Sequence, residues 1–127
     1  MQTRRGGGVT VLAVDDSTSF RRLVSATLIQ AGYRTIEAAD GVEAMAVARS
    51  QTVDLVLTDY NMPNMNGIEL VQALRALPEH RGTPILLLST ESDDALKASG
   101  KAAGASGWLR KPFDPPALLA ALERVIR

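Results

Sequence analysis

Asp59 closes the apolar run Val53-Asp54-Leu55-Val56-Leu57-Thr58 and is followed at once by Tyr60-Asn61-Met62-Pro63-Asn64-Met65-Asn66-Gly67. A buried strand that ends in a carboxylate and breaks into a turn sets that carboxylate at the mouth of a sheet. Two further strand-like runs end in charge: Val9–Val14 in Asp15-Asp16, and Gly107-Trp108-Leu109-Arg110 in Lys111-Pro112. Three acids and a lysine at strand ends point to an ion-binding phosphoryl site. At about 5 Å and an effective dielectric near 20, each pair of carboxylates repels by roughly 3 kcal/mol. Lys111 offsets one charge, and a hard divalent cation would offset the rest. Magnesium (Mg2+) suits an all-oxygen site with few protein ligands, whereas calcium needs more ligands than this pattern offers. The single histidine, His80, lies in a polar stretch read as a surface loop, so zinc is not indicated. A carboxylate oxygen balanced in this way can attack phosphorus. Asp59 is the better nucleophile, since the adjacent Asp15 and Asp16 have the pattern of metal ligands. Ser89 or Thr90, at the end of another apolar run, could bond a phosphoryl oxygen.

The elements that must position these groups alternate between two periods. β-branched and Leu runs occur near 9–14, 33–38, 53–58, 84–89 and 107–111. Between them, Phe20, Leu23, Val24, Thr27 and Leu28 step by three and four, as do Val42, Met45, Ala46 and Arg49. Ile68, Leu70, Val71 and Leu74 continue the pattern, and Leu118, Leu119, Leu122 and Val125 end it. Arg21-Arg22 reads as a solvated face of the first helix. Ser17 or Asp16 can cap that helix, Gly32 can end it, and Asp114-Pro115 is an N-cap and N1 pair for the last. The segment from Ser92 to Gly104 reads as a weak helix, with Gly100 in its interior and Leu96 as its one large apolar anchor. Five strands alternating with five helices imply an α/β domain whose parallel sheet is covered on both faces. In such sheets ligands sit beyond the carboxyl ends of the strands, at the switch in strand order. The acids and the lysine fall there.

Composition adds exclusions. At 127 residues, with 46% hydrophobic and 22% charged, the chain reads as one ordinary globular domain over residues 9–127, preceded by a disordered lead over 1–8. Lys+Arg and Asp+Glu balance at 14 each, and the reading is of no nucleic-acid and no membrane surface. Without cysteine there is no disulfide or thiolate chemistry. The apolar stretch after Arg4-Arg5 is too short for an export signal, and a cytoplasmic protein is expected.

Taken together, Val14-Asp15-Asp16-Ser17, Leu57-Thr58-Asp59-Tyr60-Asn61-Met62-Pro63, Leu87-Leu88-Ser89-Thr90-Glu91, Gly104-Ala105-Ser106-Gly107-Trp108 and Lys111-Pro112-Phe113 resemble a response-regulator receiver domain. The match runs from about Val9 to Arg127 and is most similar to the stand-alone chemotaxis (CheY-like) type. The resemblance, and not the spacing, implies the (βα)5 flavodoxin-like strand order 2-1-3-4-5 known for CheY.

It also implies roles. Asp59 would take a phosphoryl group from a sensor histidine kinase. Asp16, Asp59 and the Asn61 backbone carbonyl would ligate magnesium, with Asp15 acting through a bound water. Ser89 would be the switch hydroxyl, Lys111 would pair with the phosphoryl group, and Lys111-Pro112 would be cis. Trp108 stands at the aromatic switch position, where Tyr or Phe is common. Asn61 and Glu91, each two residues past a site residue, would set a short phosphoform lifetime. The chain would be a non-enzymatic phosphoacceptor that promotes its own phosphorylation and dephosphorylation. As a monomer it would switch binding of a downstream protein, such as a flagellar switch component, through the helix after Ser89. A receiver cut from a larger regulator is the nearest alternative. A magnesium-dependent phosphatase is less well supported, because Asn61 replaces the second acid such enzymes need. A flavin carrier would need a phosphate loop after the first strand, which the chain lacks.

Overall fold

Strand-forming runs assemble where the alternation predicts. The structure, a computed structural model, describes residues 8–91 and 93–126. The expected disordered lead lies outside the described residues except for Gly8. The strands are Thr10–Val14 (β1), Arg34–Ala38 (β2), Leu55–Asp59 (β3), Ile85–Ser89 (β4) and Gly107–Arg110 (β5). They form one parallel sheet in the order β2-β1-β3-β4-β5, as the resemblance implied. β3 and β4 are buried along their whole length, which explains their unbroken apolar sequence.

Alternate residues of each strand feed two cores. Helices Thr18–Gln30 (α1) and Pro115–Ile126 (α5) cover one face, where Val24, Leu28, Leu118 and Leu122 meet Val11, Ala13, Leu57, Leu86 and Leu88. Gly41–Ser50 (α2), Gly67–Arg75 (α3) and Asp94–Ala103 (α4) lie on the other face. There Met45, Leu70, Val71 and Leu74 meet Leu12, Val14, Val56, Ile85 and Leu87.

Helix punctuation follows the sequence. Ser17, not Asp16, caps α1, accepting from the Phe20 N–H at 3.3 Å. Gly32 follows α1 at φ +94°, where only glycine is unstrained. Asp114 accepts from the Ala117 N–H at 3.2 Å at the start of α5. A capping box of Asn66 and Glu69 opens α3 beside the site.

Four readings need correction. The buried stripe of α2 is Gly41, Ala44, Met45 and Ala48, leaving Val42 64% exposed. The small residues let the helix lie close: a Cβ on Gly41 would stand 2.5 Å from Met65 Sδ. Leu23 is 55% exposed, and α1 buries Val24, Ser25 and Leu28 instead. His80 is buried, in a 3₁₀ turn over Pro78–His80, with Nε2 2.9 Å from Ala48 O and Nδ1 2.9 Å from Thr83 Oγ1. Arg21 is not solvated; its guanidinium bonds Asp15 O and Glu37 and is almost withdrawn from water.

Candidate functional site

The parallel register brings the strand ends level, pairing Val14 with Thr58, Asp59 with Leu88 and Ser89 with Arg110. The chain leaves β1 toward one face and β3 toward the other, so their carboxyl ends flank the switch in strand order. Asp15, Asp16 and Asp59 meet there, one carboxylate oxygen of each lying within 4.8 Å of the others. Asp15 and Asp59 are buried, while Asp16 faces solvent. Local bonds fix Asp15. The Ser17 N–H donates to Asp15 Oδ1 at 2.9 Å, and Arg21 Nη1 donates to Asp15 O at 2.6 Å.

Lys111, one residue past β5, completes the cluster. Its Nζ lies 2.9 Å from Asp15 Oδ2 and 3.2 Å from Asp59 Oδ1. It also sits 4.2 Å from the centroid of the Phe20 ring. Burial works against the ammonium, but Asp15 and Asp59 outweigh it and hold the Lys111 pKa above its usual value. Burial pushes the Asp59 carboxyl up from 3.8 to about 6, reinforced by the charge of Asp15. Lys111 and the Asn61 backbone N–H pull it the other way without prevailing. Three carboxylates facing one ammonium leave the cluster short of positive charge, and its donors are all oxygens. That donor set fits a hard divalent cation held by few protein ligands.

At the end of β4, Ser89 is buried and Thr90 exposed. The Ser89 hydroxyl oxygen accepts the Glu91 N–H at 2.9 Å, which leaves its own proton available to a ligand. Asn61 Nδ2 donates to Glu91 Oε2 at 2.8 Å, so these two side chains bridge the loops after β3 and β4. The Trp108 indole N–H donates to Glu91 O at 2.9 Å. Its ring lies 5.7 Å from that of Tyr60 and packs over Gly100. A Cβ on Gly100 would come within 3.2 Å of the indole, so this mid-helix glycine makes room for the tryptophan. The Lys111-Pro112 bond is cis.

The expected site residues Asp15, Asp16, Asp59, Asn61, Ser89, Glu91, Trp108 and Lys111 thus lie at this end of the sheet, whereas His80 does not. Sequence reasoning passed over Phe20 and Arg21. Phe20 satisfied the apolar period of α1, and Arg21 sat beside a second arginine, so neither carried a signal of its own.

A family model described as the response regulator receiver domain matches residues 11–123. The chain belongs to that family. As a receiver it is similar to a chemotaxis protein CheY homolog of Campylobacter jejuni, 38% identical over 118 residues, covering 91% of each chain. Among solved structures it is similar to chemotaxis protein CheY4 of Vibrio cholerae. The TM-score is 0.90 at 51% identity, over 92% of this chain and 98% of that one. The receiver domain of sensor histidine kinase PA1611 from Pseudomonas aeruginosa PAO1 is also similar, with TM-score 0.87 and 30% identity, over 94% and 98% of the chains. That structure is described with a magnesium ion coordinated in its active site cleft. Receivers are phosphoacceptors, which is consistent with a switch role for this chain. Among the described residues no helix is long and apolar enough to cross a membrane.

Proposed function

We propose that this receiver accepts a phosphoryl group from a histidine kinase on Asp59 and thereby switches its hold on a downstream protein in chemotaxis. One observation carries the assignment. Asp59 ends the buried central strand β3 between two further carboxylates and the Lys111 ammonium, at the sheet's switch in strand order. Chemotaxis is favoured by the CheY names of the relatives. A cytoplasmic, monomeric protein that contacts neither nucleic acid nor membrane, with a flagellar switch component as partner, fits the same reading.

In this mechanism an Asp59 carboxylate oxygen forms the new bond to phosphorus as the donor's N–P bond breaks. The departing electron pair returns to the imidazole nitrogen. Asp16, Asp59 and the Asn61 carbonyl would hold magnesium, with Asp15 at one remove, and the ion would neutralise charge on the transferring oxygens. Lys111, already within hydrogen-bond reach of Asp59, supplies a fixed positive charge at the phosphoryl group. Ser89 turns its free proton to a phosphoryl oxygen. That movement pulls on Glu91, which is bonded to Ser89, Asn61 and Trp108 together. The event therefore reaches β5 and α4, the face we assign to the output partner. Asn61 and Glu91 flank the approach of a hydrolytic water and give a short-lived phosphoform.

Magnesium and then beryllofluoride, titrated against Trp108 fluorescence with Asp59→Asn alongside, test the assignment. A saturable change lost in the variant supports it, and phosphate incorporation by Asp59→Asn from a small acyl phosphate refutes it. Bulky or basic replacements at Asn61 and Glu91 are expected to alter the dephosphorylation rate at least several-fold. An unchanged rate would remove their tuning role.

A further inference from the structure

Lys111 is held from three sides, and only two of them are carboxylates. The third is the face of Phe20, with Nζ 4.2 Å from the ring centroid. The lysine side chain is 15% exposed, so its ammonium is largely desolvated, the condition under which a cation gains most from an aromatic face. The ring is itself fixed. Phe113, two residues beyond Lys111, meets it edge to face at 5.7 Å and 70°. The Phe20 backbone is pinned by its N–H bond to Ser17, whose own N–H holds Asp15. A six-residue stretch, Asp15 to Phe20, thus delivers both a carboxylate and a ring to the same ammonium.

We infer that Phe20 is a positioning residue for Lys111, supporting the ammonium through its ring face while the lysine changes partners from Asp59 to an incoming phosphoryl oxygen. This rests on the phosphoacceptor reading of Asp59. The physical point is directional. A hydrogen-bond acceptor would fix one N–H at one point, whereas a ring face attracts the charge as a whole and lets it shift without losing its support. The carboxylates alone would hold Lys111 to the acids that phosphorylation must relieve.

The test varies the ring's electron density at constant shape. Phenylalanine analogues with one, two and three fluorines are placed at position 20, beside Phe20→Leu and Phe20→Tyr, and magnesium-dependent beryllofluoride affinity is read from Trp108 fluorescence. The expected result is a stepwise loss along the fluorine series. Phe20→Leu should weaken binding about 3- to 10-fold, and Phe20→Tyr should stay near wild type. In a Lys111→Met background the series should be flat. A flat series in the Lys111 protein, with wild-type binding intact, overturns the role of Phe20 and leaves Asp59 as phosphoacceptor. Beryllofluoride binding that survives in Asp59→Asn overturns the phosphoacceptor reading and this inference with it. Urea unfolding of each variant identifies loss of fold, and the fluorinated proteins, which keep the ring's shape, decide the question if Phe20→Leu fails to fold.

Discussion

Asp59→Asn is expected to stabilise the protein at neutral pH when no divalent cation is present. The Asp59 carboxyl titrates near 3.8 in an unfolded chain and at about 6 in the fold, chiefly because it is buried. The folded value is the higher one, so between about pH 4 and pH 6 the native state holds more protons than the unfolded state. Stability therefore falls as pH rises through that window. Two pKa units at about 1.4 kcal/mol each make the ionised side chain a burden of about 3 kcal/mol above it. Asparagine removes the charge but also its pairing with Lys111, which keeps Asp15 as a partner. The net gain should be about 2 kcal/mol. In urea at pH 7.5 with a chelator, the midpoint of Asp59→Asn should exceed that of wild type by about 1 M. The gap should close as the pH approaches 4. Added magnesium should raise the wild-type midpoint and leave the variant unmoved, since only the wild type gains ligand-linked stability. Equal midpoints at pH 7.5, or a gap that widens on acidification, would refute the reasoning.

Three further outcomes are accessible to the same instruments. Arg75→Ala strips donors from the His80, Thr83 and Gly104 carbonyls, and urea unfolding should show a loss of about 3 kcal/mol. Gly67→Ala would set a methyl 2.6 Å from Asp59 O and 2.6 Å from Leu87 Cδ2, so the end of β3 must shift. We expect a loss of about 1–3 kcal/mol and weaker beryllofluoride binding, both measured on the purified variant. Gly100→Ala gains about 1 kcal/mol of helix propensity but presses on Leu87 and Trp108 at 3.1 and 3.2 Å. Its stability should change by less than about 1 kcal/mol while Trp108 emission moves to the red, and an unshifted spectrum would count against the slot.

The sheet and the acid cluster were legible in the sequence because both depend on short runs. Val53–Thr58 before Asp59, or Val9–Val14 before Asp15, carries period and terminus in one stretch. What failed depends on partners far away in the chain. The stripe of α2 was phased on Val42, since apolar size is visible in a sequence. Gly41, Ala44 and Ala48 are buried for being small, which shows only against Met65 and the sheet. His80 stands in a polar stretch, and its burial is created by Ala48 and Thr83. Phe20 under Lys111 joins positions 91 residues apart, and no local pattern reports that contact.

The clamp of Arg75 on Gly104 gives α4 an unequal footing. At its carboxyl end, the Arg75 guanidinium bonds Gly104 O and fastens the helix to the domain, while the Ala105 N–H closes the last turn on Gly100 O. At its amino end the Asp93 side chain caps Leu96, and along the helix only Gly100 is fully buried. A rod tethered at one end moves by swinging. Ten residues span about 15 Å, so a tilt of about 8° carries the free end about 2 Å. That free end adjoins the Ser89–Glu91 loop, and the pivot lies at the opposite rim. A protein docked along α4 would then read an angle, with the Gly104 end as its fixed reference.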